Sequence, residues 1–247
     1  GYLGGALAPF AMLLMVNWLG LSGAIIAAGM LGPLAAIPLL LLRDAPAHGR
    51  GAHGAAPAST RTLLTPAVVS LIVFFAVLAM SSSGISNFSV VALHQLWNVA
   101  LGMANASLTA FLLMSAFGVL AGGVVADRTA RHGEVAAVGF GLSALLILAV
   151  GMLRLPDLAL LATMGAAGFC SGIIMPSRDM LVRASAPKGA EGRVFGIVST
   201  GFNIGSIVGP MLFGWIMDRG QPFWVFGGSV VFMLATCVIA LASERRP

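Results

Sequence analysis

Long apolar runs recur along the chain with almost no alternation, broken by short clusters of charge, glycine or proline. Eight of them lie at about Gly1–Asn17, Ser22–Leu42, Pro66–Ser89, Asn105–Ala126, Val135–Leu153, Leu158–Pro176, Val194–Met217 and Phe223–Ala242. Each has roughly the 17–25 residues that a helix needs to cross ~30 Å of hydrocarbon at ~1.5 Å per residue. Membrane strands would show an in-and-out period of two, which these runs lack, so the pattern predicts an all-α membrane bundle.

Composition sharpens this. The chain is 59% hydrophobic and 9% charged, with a mean hydropathy of +1.01, well above the apolar share of ordinary soluble domains. Glycines repeat at four-residue spacing inside three runs: Gly118 and Gly122, Gly168 and Gly172, and Gly201, Gly205 and Gly209. On a helix that spacing makes a smooth strip where a neighbour packs closely. Cys170 and Cys237 fall in separate runs without paired spacing, so they suggest neither a disulfide nor a metal site, and no cofactor is expected.

The basic residues set the orientation. Eleven of them, Arg43, Arg50, Arg61, Arg128, Arg131, Arg178, Arg183, Lys188, Arg193, Arg245 and Arg246, fall in the connections and tail on one side, against Arg154 and Arg219 on the other. The crowded side is expected to be cytoplasmic, with the C-terminus there. The net charge of +5 is then a topology signal with some attraction to anionic lipid, and no nucleic-acid partner is expected. Residues 45–65, with Pro46, Pro57, His48 and His53 and no apolar period, read as a solvated linker.

An internal repeat accounts for the two runs before that linker and six after it. A shift of 201 residues lays Gly4 on Gly205, Ala8 on Gly209, Pro9 on Pro210 and Asn17 on Asp218. Parallel repeats of six helices build one class of transporter.

Specific motifs carry the resemblance further. Gly123-Val124-Val125-Ala126-Asp127-Arg128-Thr129-Ala130-Arg131-His132 resembles the G-x-x-x-D-R loop signature of the major facilitator superfamily, in the copy between its eighth and ninth helices. Ala130 stands where the signature has its second glycine. The stretch Gly201 to Pro210, followed by Gly214 and Asp218, resembles the eleventh helix of that fold, with Pro9 as its repeat-related proline. Met175 to Arg183 resembles the end of the tenth helix in bacterial exporters of the fosmidomycin-resistance and drug-efflux type.

The resemblance implies a twelve-helix carrier of which this sequence holds the fifth helix onward. Residues 1–44 would be the last two helices of the N-terminal half, 45–65 the central linker, and 66–247 the C-terminal half. It implies a multi-pass, monomeric protein of the bacterial inner membrane, with protons as a possible coupling ion. It also implies a conformational clip, in which Asp127 faces the helix start near Gly1–Gly5 while Arg128 or Arg131 meets Asp179, and Gly123 opens the motif. Gly201, Gly205, Gly209 and Pro210 would form a helix able to rock.

Polar side chains at membrane depth are costly without a task. Asn87, Asn203, Ser83 and Asn105 are therefore the solute-binding candidates. No ionisable residue lies at the middle of a run, which favours neutral or amphipathic solutes and leaves any coupling carboxylate elsewhere. Without H-E-x-x-H, paired aspartates or a serine–histidine pair, enzyme chemistry is not expected. The expected function is secondary active transport of a small organic solute, by export. An uptake carrier, or a sensor or scaffold on the same fold, remains the alternative.

Overall fold

A computed structural model describes residues 65–129, 132–186 and 191–244, together with a few helical positions between 15 and 30. The chain divides into two compact units, Gly1–Ser59 and Thr60–Pro247. Most of the first unit, the linker up to residue 64, Pro9 and Arg131 lie outside the described residues.

The second unit is built from α1 (Pro66–Trp97), α2 (Leu101–Arg128), α3 (His132–Met152), α4 (Asp157–Ser185), α5 (Glu191–Asp218) and α6 (Phe223–Glu244). All six of these helices are long and apolar enough to cross a membrane. Their surface is apolar as well: Met211 on α5 and Val138 on α3 are each 71% exposed, as a lipid-facing wall requires and a water-facing one would not.

Two helices run further than their apolar runs suggest. The run opening α1 stops at Ser89, but the helix continues to Trp97, where Asn98 takes the left-handed conformation (φ 54°) and closes it. Trp97 then donates its indole N–H to the Val150 carbonyl of α3 (3.1 Å), one of the end carbonyls that a helix leaves without a partner. At the other end Pro66 occupies a first-turn position where no N–H is needed, and Thr65 accepts from Val68 N–H.

The second case changes the placement of charge. Helix α4 passes through Pro176 and ends at Ser185, so Arg178, Asp179 and Arg183 are helical and not part of a connection as the run boundaries imply. Proline removes one helical hydrogen bond but does not stop a helix held by its neighbours.

The packing is symmetric. Among the described elements the most extensive contacts are α2 with α4 and α1 with α5, followed by α3 with α4 and α6 with α1, while α3 and α6 pack on each other. Exchanging α1, α2, α3 with α4, α5, α6 maps this pattern onto itself. That is the behaviour of two three-helix repeats nested in one unit. Phe74, Phe140, Phe213 and Phe226 fill the centre and are fully buried.

Glycine makes the two largest contacts possible. A Cβ at Gly118 or Gly122 would overlap the backbone of Phe169 or Ile173, and one at Gly168 or Gly172 would overlap the carbonyls of Phe111 or Ser115. Helices α2 and α4 therefore meet backbone to backbone. The second seam repeats the device, with Gly201 and Gly205 of α5 against the carbonyls of Ile72 and Ala76 of α1. Between α3 and α4 a hydroxyl pair does similar work: Ser143 donates to the Ala167 carbonyl (3.1 Å) and its Oγ lies 2.8 Å from that of Ser171.

Gly172→Ala should lower stability by about 1–3 kcal/mol, because backbone must shift to admit the methyl. At Gly123, inside α2, an added Cβ meets open space, so Gly123→Ala should not destabilise and should gain up to about 1 kcal/mol of helix propensity. Thermal unfolding of the two variants in detergent checks the contrast.

Candidate functional site

The glycine seam between α1 and α5 ends beside a cleft. Gly209 faces Ser83, whose Cβ would stand 2.7 Å from an added methyl. Alongside it Ala79, Ser82, Ser83, Ser86, Asn87, Phe202 and Ser206 enclose about 180 Å³. On α1 the lining residues recur at three- and four-residue steps, as do Phe202 and Ser206 on α5, so each helix contributes one face.

Hydrogen bonds organise this cleft. Asn87 donates its amide nitrogen to the Ser83 carbonyl (3.1 Å) and to Ser83 Oγ (3.2 Å), which leaves its amide oxygen as an acceptor. Ser82 donates back to the Leu78 carbonyl (3.2 Å) and keeps its lone pairs. Pro210 adds a backbone group: it has no N–H to give the carbonyl of Ser206, four residues earlier, so that carbonyl loses its helical donor. The lining is thus neutral, rich in acceptors, and faced on one side by the Phe202 ring.

Of the solute candidates, Asn87 and Ser83 meet here. Asn203 is exposed on α5 and does not line the cleft, and Asn105 is exposed near the start of α2, bonded to the Leu101 carbonyl (3.0 Å). Phe202 and Ser206 were not singled out from the sequence. They flank the Gly201–Gly205–Gly209 strip, but the strip alone does not say which flank opens into a cleft.

The charged motif lies at the C-terminal end of α2. Asp127 and Arg128 are exposed in the last turn of α2, and Thr129 is extended. Asp127 sits at the negative end of its own helix dipole, a local cost of about 0.3–1 kcal/mol that Arg128 alone would not incur. Local stability therefore does not explain the aspartate. Asp179 pairs with its neighbour Arg178, Nε to Oδ1 at 3.0 Å, and Arg131 lies outside the described residues. The guanidinium of Arg178 stacks on Phe75 of α1, 4.8 Å from the ring centre.

A six-helix membrane unit built from paired repeats, with a polar cleft beside a glycine seam and a charged helix end, defines a class of membrane protein. The model of the Major Facilitator Superfamily matches residues 71–247, and the chain belongs to that family. A relative described as probable anion transporter 4, chloroplastic, from Arabidopsis thaliana is 33% identical over 94 residues, 36% of this chain and 18% of the relative. The solved peptide transporter POT in complex with sulfate superposes with a TM-score of 0.64 at 18% identity, over 73% of this chain and 38% of that one. A point mutant of POT, also with sulfate, gives 0.64 at 18% identity over 72% and 38%. At that identity the likeness shows the fold, and this chain spans well under half the length of each of these proteins.

A ligand held in this cleft should bind Asn87→Ala about fivefold more weakly, the loss of roughly one hydrogen bond of ~1 kcal/mol. Asn203→Ala should leave its affinity within about twofold. Ligand-dependent Tm shifts of the two variants in detergent separate them.

Proposed function

We propose that the protein is a secondary carrier that moves a small organic solute across a lipid bilayer by alternating access, with export the preferred direction. The observation that carries this reading is the neutral cleft of Ser83, Asn87 and Phe202, set where the α1–α5 seam opens within a six-helix unit. Carriers of this architecture bind solute at the interface of repeats and switch by rocking rigid groups of helices. Close glycine contacts suit such motion, since a seam without interlocked side chains can turn as one body.

Asp127 is the switch element. Its carboxylate, with Arg128 or Arg131 engaging Asp179, holds the inner side closed. Release opens it. Gly201, Gly205, Gly209 and Pro210, with Pro9 as the repeat-related counterpart, form the moving helix. The protein acts as a monomer in the bacterial inner membrane, with the Arg128 end and the C-terminus in the cytoplasm, and protons are the coupling ion. The export direction follows the resemblance of Met175 to Arg183 to drug-efflux carriers. The relative's anion and POT's peptide bring charged metabolites within reach of the same reading.

Solute flux through the full chain in proteoliposomes tests this. A clip worth ~1–2 kcal/mol shifts the ratio of inward- to outward-open forms about five- to thirtyfold, so Asp127→Asn should change turnover by that order without changing the expression level. Saturable binding of a solute with no flux would instead indicate a sensor, and unchanged turnover in Asp127→Asn would remove the clip.

A further inference from the structure

Arg178 stands apart from the other arginines among the described residues, which are exposed. It lies seven residues before the end of α4 at Ser185, about 10 Å along the helix, and its side chain is only 12% exposed. A guanidinium so little exposed among packed helices is costly unless it has a partner or a task. Phe75 covers one face of the guanidinium. Among the described residues its hydrogen bond is through Nε, to Asp179 at 3.0 Å, and the terminal nitrogens are bonded to none of them.

Two clefts adjoin the residues next to this stack, although neither Arg178 nor Phe75 lines either of them. Asp179 is 46% exposed and, with Val182, Arg183, Gly192 and Phe195, lines a second cleft of about 340 Å³ between α4 and α5. Phe195, Phe202 and Ser206 lie at intervals of seven and four residues, hence on one face of α5. Phe75, Ala79, Ser82 and Ser86 share one face of α1 for the same reason. The charged cleft and the neutral cleft therefore follow each other along a common track, about 10 Å apart by the spacing of Phe195 and Phe202. The Arg178–Phe75 stack lies one turn from the neutral cleft, on the side of the charged one.

We propose that Arg178 selects acidic solutes on this track: the carboxylate or phosphate oxygens of a small organic anion take its terminal N–H fork, in competition with Asp179. This rests on the carrier reading above and adds the substrate class. Neighbouring residues on a helix do not face each other squarely, and Asp179 accordingly holds Arg178 through one nitrogen. An incoming oxyanion gains the two-point contact that Asp179 cannot make, which is the stronger geometry for arginine. Asp179 keeps the charge balanced when the site is empty, so release does not strand a bare cation in the membrane. Phe195 and Phe202 offer apolar surface to the remainder of the solute.

The test uses the full chain in detergent with three probes, namely inorganic phosphate, benzoate and neutral benzamide, and reads the Tm shift as a function of probe concentration. Phosphate or benzoate should stabilise the unsubstituted protein and benzamide should not. Arg178→Gln should abolish the anion shift, Arg178→Lys should weaken affinity about tenfold by removing the fork, and Asp179→Asn should tighten it about tenfold by removing the competitor. Because Arg178→Gln could also disturb folding through Phe75, the Asp179→Asn result decides. Unchanged or weaker anion affinity in Asp179→Asn, or equal stabilisation by benzamide and benzoate, overturns the proposal. Flux of benzamide in proteoliposomes without anion binding would refute this inference and leave the carrier standing. Anion binding with no flux of any probe would keep the site and remove the carrier.

Discussion

Helices in lipid have no water to drive them together, so they must find each other through close contact, and in this protein that contact is made by glycine. Four glycines join α2 to α4 and three more join α5 to α1. Lipid tails are as apolar as leucine, so a seam of larger side chains would exchange one apolar neighbour for another with little gain. Backbone-to-backbone approach gives what lipid cannot match, dense van der Waals contact along two turns or more. Against these seams α3 packs on α4, α6 packs on α1, and the two pack on each other.

The same constraint locates the chemistry. Where Gly205 gives way to Ser206 and the partner helix offers Ser82, Ser83 and Ser86, the seam loosens into a cleft lined by hydroxyls that are already partly committed to backbone carbonyls. Ser82, Ser83 and Asn87 are cheap to hold there because they have internal partners, and useful because they keep acceptors. The prolines act in the same direction. Pro210 frees a carbonyl at the cleft, while Pro176 does not prevent α4 from carrying Arg178 to a position beneath it.

Much of this was legible in the residues. Continuous apolar runs, the three glycine strips and the polar break at Ser83 and Asn87 all mark features that the structure contains, because each depends on a local period or spacing. Helix ends were less legible. A run stops at its first polar cluster, but the helix stops only where a cap such as Asn98 turns the backbone, so α1 and α4 extend eight or nine residues past the expected limits at Ser89 and Pro176. That error hid Arg178: counted as a loop cation, it gave no hint of acidic solutes, and its stacking on Phe75 is a tertiary contact between residues far apart in sequence. Phe202 and Ser206 escaped for a related reason, since nothing in a single helix says which flank of a glycine strip opens into space.

The most direct measurement of the account is two-sided labelling of the neutral cleft. With Cys170 and Cys237 replaced by serine and Ser86, which is exposed beside Asn87, changed to cysteine, an impermeant thiol reagent is applied to sealed vesicles from one face at a time. A carrier that alternates must expose this position to each side in turn, so labelling is expected from both, with the balance moved by bound solute. Labelling from a single side, indifferent to solute, would contradict it.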